Sequence, residues 1–191
     1  MGAARFAIGY AGNFDCIPVS SWVYPQDRDT GFAGYAAARP VLAFFNKLIG
    51  PYAFSKLANV QSKTMFGGME NASCIFYNEP SVRTPDLEGL IAHEIAHQWF
   101  GNMATETDWP HLWLSEGFAT YMTHIYHEAN YGKDSLKRRM QQDREAVTRF
   151  FHDKPMAVVD TLSGIKPLDL LNANSYQKGG WVLHMLRRTI G

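Results

Sequence analysis

Cysteine is scarce in this chain of 191 residues: only Cys16 and Cys74 occur. Two cysteines make no disulfide framework, and neither stands in a metal-ligand spacing. Both read as packed or free thiols. No apolar run approaches the length that spans a bilayer. The start, MGAARFAIGYAG, lacks a charged stretch followed by an apolar segment and a cleavage site, and it reads as mid-protein sequence. Neither sign of charge is in excess, with 18 Lys and Arg against 18 Asp and Glu. Nothing therefore points to a nucleic-acid or anionic-membrane partner. Repeats and low-complexity tracts are absent too. What remains is one domain, or one domain plus a remnant, with enough apolar residues (46%) for a sizeable core. Compartment stays open between cytoplasmic and exported.

The most informative feature is His93-Glu94-Ile95-Ala96-His97, followed after 18 residues by Glu116. Histidines at i and i+4 share one helix face, so both imidazoles can reach one metal ion. Two histidines and a carboxylate make a zinc ligand set that leaves a position for water. His93, His97 and Glu116 are thus the candidate ligands, for one zinc per chain. Glu94, beside the first ligand, is placed to take a proton from that water and return it to a leaving amine. The competing reading is a helix with two satisfied histidines and a surface glutamate.

Four runs occur in a telling order: FGGMEN at 66–71, HEIAHQWFG at 93–101, WLSEGFAT at 113–120 and YQKGG at 176–180. Together they resemble the aminopeptidase N family of zinc metallopeptidases, which also contains a bifunctional leukotriene hydrolase. The resemblance runs from about Trp22 to the end, and covers only part of a typical member. It implies an α+β, predominantly helical, thermolysin-like catalytic domain over 28–191, truncated at its C-terminus. Residues 1–27 would close an N-terminal β domain. It also implies an aminopeptidase that uses a zinc-activated water and acts on peptides with a free N-terminus.

Some roles come from the resemblance alone. Gly67, Gly68, Met69, Glu70 and Asn71 would lie along the substrate, with Glu70 pairing with its ammonium group. Gly68 stands where many members have alanine, a variant that by itself says little. Tyr176 would donate a hydrogen bond to the oxyanion of the tetrahedral intermediate. Two rivals stand beside the aminopeptidase: a catalytically incompetent fragment or peptide-binding module, and a bifunctional epoxide hydrolase and aminopeptidase. The flanking domains of a full-length protein would be missing.

Local signals supply the elements. Residues 5–24 read as short strands broken at Gly12-Asn13 and Pro18. Residues 31–49 read as a helix kinked or restarted at Pro40. Strands are expected over 57–61 and 73–77. Thr84 is the expected N-cap of the histidine helix, which ends near Gly101. A helix over 112–130 turns Phe118, Tyr121, Met122, Ile125 and Ala129 to a core. Its polar stripe holds Glu116, Thr120, Thr123 and His127. A charge-mixed helix spans 133–153, a loop 153–174, and a last helix starts at Tyr176. His111, His124, His127, His152 and His184 read as ordinary packed or solvated residues. Asn102 and Asp108 are weaker candidates to support a ligand histidine.

Overall fold

Branched and aromatic residues dominate the first two strands, β1 (Ala7–Phe14) and β2 (Ile17–Val23), which pair antiparallel. A register shift between Tyr10 and Asn13 falls at the expected break around Gly12. Pro18, by contrast, stays inside β2. The computed structural model describes residues 2–159 and 166–191. It gathers the chain into two compact units, Met1–Asn102 and Met103–Gly191.

The first unit is built on a five-stranded sheet. β3 (Leu57–Ser62) runs parallel to β2, and β5 (Cys74–Asn78) runs parallel to β3. The two-residue strand β4 (Gly68–Met69) pairs antiparallel with β5 and closes the order β1-β2-β3-β5-β4. Parallel neighbours need a crossover, and helices α1 (Arg28–Tyr35) and α2 (Ala38–Leu48) supply it between β2 and β3. The expected single helix is therefore two. The break falls before Ala38, and Pro40 sits in the first turn of α2, where its missing N–H goes unneeded. Val19, Val23, Leu57 and Ile75 from the sheet are fully buried, as are Leu42 and Phe45 of α2.

The histidine helix α3 (Leu87–Ala96) is apolar on several sides, and Ile91, Ala92, Ile95 and Ala96 are fully buried. Its N-cap is Asp86 rather than the expected Thr84. Thr84 instead accepts the Leu87 N–H in a turn ahead of the helix (3.2 Å). After α3 the chain tightens. Trp99 packs against Phe45 and Tyr52 and donates Nε1–H to the Gly50 carbonyl at 3.1 Å.

The second unit contains α4 (Trp113–Tyr131), α5 (Lys133–Asp153) and α6 (Gly179–Ile190), with a π-helical turn over Asn174–Lys178. Tyr121, Leu136, Met140 and Leu183 form its core, with Phe118, Met122, Ile125 and Trp181 packed around them. The expected apolar stripe of α4 holds except at its end, where Ala129 is exposed because the helix outruns the core. Gly132, at φ 82°, separates α4 from α5. The expected loop over 153–174 lies partly outside the described residues, at 160–165. Among the described residues no helix is long and apolar enough to cross a membrane.

Three polar pairs hold histidines in this second unit. His124 Nε2 meets buried Asp143 Oδ2 at 2.7 Å, Tyr121 OH meets His184 Nδ1 at 2.9 Å, and Arg139 meets His127 Nε2 at 2.9 Å. Those three histidines are packed, hydrogen-bonded residues, and His152 is exposed.

One contact fixes how the helices approach. An added Cβ on Gly117 would stand 2.9 Å from the Gly179 backbone. Neither main chain can yield there as a side-chain tip could. Gly117→Ala gains about 1 kcal/mol of helix propensity, but forced overpacking costs about 1–3 kcal/mol. We expect a net loss, read as a melting temperature several degrees lower. An unchanged or raised melting temperature would show that this close packing does not form.

Candidate active site

The first unit places eight of the ten candidate residues. His93 and His97, one turn apart, bring their rings to 4.7 Å between centroids and their Nε2 atoms to 3.1 Å. His97 is buried, and its Nδ1 lies 3.0 Å from the Phe100 carbonyl. A carbonyl only accepts, so that contact assigns the proton to Nδ1 and leaves Nε2 a lone pair. This is the tautomer a metal requires, oriented by a backbone acceptor. Two imidazole nitrogens bound to one tetrahedral zinc stand about 3.3 Å apart, from zinc–nitrogen bonds of about 2.0–2.1 Å. The separation here fits that group.

Glu94 points from α3 onto the β4 segment and is 5% exposed. Its carboxylate occupies the space beside Gly68: an added Cβ there would meet Oε1 at 2.2 Å. Gly68 thus lets Glu94 lie against the backbone of the FGGMEN run. From sequence that glycine was uninformative, since its neighbour in space is 26 positions away. Beneath the site, burial and then the Glu94 and Tyr35 charges raise the Tyr77 phenol well above its ordinary 10.0. Tyr77 therefore stays neutral and donates to Asn59 Oδ1 (3.2 Å).

The rest of the run turns back sharply. Met69 pairs with Phe76 across β4 and β5, Gly67 accepts from Asn78 N–H, and Asn71 accepts from Cys74 N–H at 2.9 Å. The Glu70 carbonyl receives two side-chain donors, Gln98 Nε2 at 2.9 Å and Asn102 Nδ2 at 2.8 Å. Asn102 is thus no partner for a histidine side chain, although its N–H does cap the His97 carbonyl (3.0 Å). Gln98 escaped the sequence reading. Its only signal was its place directly after the motif.

The second unit holds the other two candidates, Glu116 and Tyr176, on two elements. Glu116, 6% exposed, lies in the first turn of α4, where a carboxylate suits the helix dipole. Next to it, Ser115 Oγ donates to Glu106 Oε1 at 2.9 Å and ties down that turn. Tyr176 sits mid-way along the π-helical turn that leads into α6. Such wide turns in place of regular helix recur at functional sites. This one is held by Asn174 and Lys178, which donate to the Ala157 and Met156 carbonyls, and by the Gly117–Gly179 contact. The expected regular helix from Tyr176 begins only at Gly179. Asp108 caps a short turn through its carbonyl, which accepts from His111 N–H.

Comparison with known proteins bears on this arrangement. The profile of the Peptidase family M1 domain matches residues 34–191. The chain belongs to peptidase family M1. Among its M1 relatives, leucine aminopeptidase 2 of Aspergillus oryzae is 34% identical over 70% of this chain and 23% of its own length. Aminopeptidase N of Canis lupus familiaris is 31% identical over 89% of this chain and 20% of its own. Aminopeptidase 2, mitochondrial, of Saccharomyces cerevisiae is 31% identical over 92% and 20%. The chain therefore spans a fifth to a quarter of the length of these relatives. In fold, it superposes on yeast LTA4 hydrolase with a TM-score of 0.88 at 20% identity, over 98% of this chain and 31% of that one. The expected α+β, mainly helical class is the observed one.

Proposed function

We propose that this M1 chain is the catalytic part of a zinc aminopeptidase that releases N-terminal residues from peptides. The observation that carries the reading is the His93–His97 pair, whose nitrogens face each other at metal-ligand spacing beside the buried Glu94. In this reading residues 28–191 are the thermolysin-like portion. Residues 1–27 lead in from a β domain, their strands extending the catalytic sheet.

His93, His97 and Glu116 would hold the zinc, two neutral imidazoles and one carboxylate. Bound zinc supplies Lewis acidity, which makes water a nucleophile near neutral pH. The chain's own residues do the rest. Glu70 pairs with the substrate ammonium, which leaves only the first peptide bond in reach. Glu94 takes the proton from the attacking water and passes it to the departing amine. Tyr176 donates its hydroxyl hydrogen to the oxygen on which negative charge develops. The epoxide-hydrolase alternative rests on the family resemblance, which takes in a leukotriene hydrolase, and beyond the shared zinc site no residue described above supports it.

Fluorogenic aminoacyl amides, with N-acetylated counterparts as controls, test the reading. The zinc-loaded chain should turn over only the free amines, and a chelator should abolish that turnover. Glu70→Ala should lower kcat/KM about 100-fold with zinc content unchanged. Equal cleavage of acetylated and free substrates would remove the N-terminal anchor. Zinc binding with no turnover of either would favour the incompetent-fragment rival.

A further inference from the structure

We infer that Gln98 and Asn102 are positioning residues: they clamp the Glu70 carbonyl and so aim the Glu70 carboxylate at a substrate ammonium. The inference rests on the proposed role of Glu70. It adds how that residue is held, and by which groups.

The segment that carries Glu70 has little backbone structure of its own. Strand β4 ends at Met69 after two residues, so ladder pairing stops one position short of Glu70. Beyond it the chain reverses through Ser73, whose φ of 63° lies in the left-handed region. A non-glycine residue is disfavoured there and persists only when its surroundings impose it.

Gln98 is the imposing group. It is fully buried. Its Nε2 donates to the Glu70 carbonyl at 2.9 Å, while its Oε1 accepts the Ser73 N–H at 2.8 Å. Tyr52 OH lies 3.5 Å from the same oxygen. One planar amide thus grips both ends of the reversal. A side-chain amide offers a donor and an acceptor from a single rigid group. A carboxylate would lose the donor, and an apolar residue would lose both. Asn102 Nδ2, at 2.8 Å, fills the second acceptor site of the Glu70 carbonyl. With both lone pairs engaged, rotation of the Glu70 peptide plane would break two bonds at once.

Both amides stand on the segment that follows α3, and Asn102 N–H also caps the His97 carbonyl. The anchor for the substrate and the histidine segment are thereby tied to one short stretch of chain. A charge-assisted hydrogen bond to the ammonium depends on its geometry, so the clamp need shift only slightly to weaken binding.

The test uses the full 191-residue chain loaded with zinc. Leucinamide binding is read by calorimetry in a Glu94→Gln background, which holds the probe without turning it over, and KM is read with Glu94 in place. Asn102→Asp is close to isosteric and only partly buried; it removes the donor and turns an anion toward the Glu70 carbonyl. Gln98→Met keeps the volume and removes both hydrogen bonds. Each should weaken leucinamide binding about 10-fold and raise KM for aminoacyl amides, with kcat changed far less. Zinc content should not move. The same changes made in Glu70→Ala should have no further effect, since the two act through one residue.

If Gln98→Met fails to fold, Asn102→Asp carries the test alone. Undiminished leucinamide binding in Asn102→Asp overturns the inference. So does an equal loss with and without Glu70, which would mean that the amide acts elsewhere. If the parent chain does not bind leucinamide, or if Glu70→Ala binds it normally, the ammonium-anchor reading falls and takes the inference with it.

Discussion

Replacing Glu94 by Gln should lower kcat by about 10²–10⁴-fold while the chain stays folded and keeps its zinc. The amide has nearly the volume of the acid, so it can lie against Gly68 as the carboxylate does. It cannot accept a proton, which is the one property the mechanism asks of it. A general base contributes through the transition state, so kcat and kcat/KM should fall together and KM should change little. The loss corresponds to about 3–5 kcal/mol of barrier. Glu94→Asp makes the complementary point. It keeps the charge but withdraws the carboxylate by one methylene from the surface that Gly68 opens. Its activity should fall as well, because proton transfer needs the base within hydrogen-bond reach of the water. Near-normal turnover in Glu94→Gln with metal bound would mean that another group takes the proton.

Legibility in the sequence followed the range of the interaction. The spacing of His93 and His97 is a property of one helical turn, and the helix formed there, although it stops at Ala96 with His97 as its C-cap, short of the expected end near Gly101. The amphipathic stripe of α4 and the span of α5 were readable for the same reason. Long-range facts were not. That Gly68 makes room for Glu94, or that Gln98 grips the Glu70 carbonyl, depends on segments 26 and 28 positions apart meeting through the sheet and α3. The π-helical turn at Tyr176 was hidden for another reason. Periodicity reports which side chains share a face, not which carbonyl each N–H selects. Here Lys178 N–H reaches back to Ala173, a register that apolar spacing does not encode. The M1 resemblance singled out Tyr176 regardless, because a motif marks a position even where the local geometry is irregular.

Elemental analysis of the purified chain should find about one zinc, and His97→Ala should carry almost none. The argument concerns more than a lost ligand. His97 is held in place, since its Nδ1–H is committed to the Phe100 carbonyl and its Nε2 faces His93 at 3.1 Å. Its removal leaves His93 and Glu116 as the only proposed ligands and also strips the Phe100 carbonyl of that donor. Two-ligand zinc is weak, so the metal should be lost on dialysis. Stability separates loss of metal from loss of fold. A metal that binds only the native state stabilises it by RT ln(1 + [L]/Kd), about 4 kcal/mol at 1,000 times Kd. Chelator should therefore lower the melting temperature of the parent chain by several degrees or more. His97→Ala should start near the chelated value and show no further response. His97→Gln, which keeps a donor for the Phe100 carbonyl, should lose the metal and the chelator response alike. Full zinc retention in either variant would remove His97 from the ligand set. A parent chain indifferent to chelator, with no zinc by analysis, would remove the metal itself.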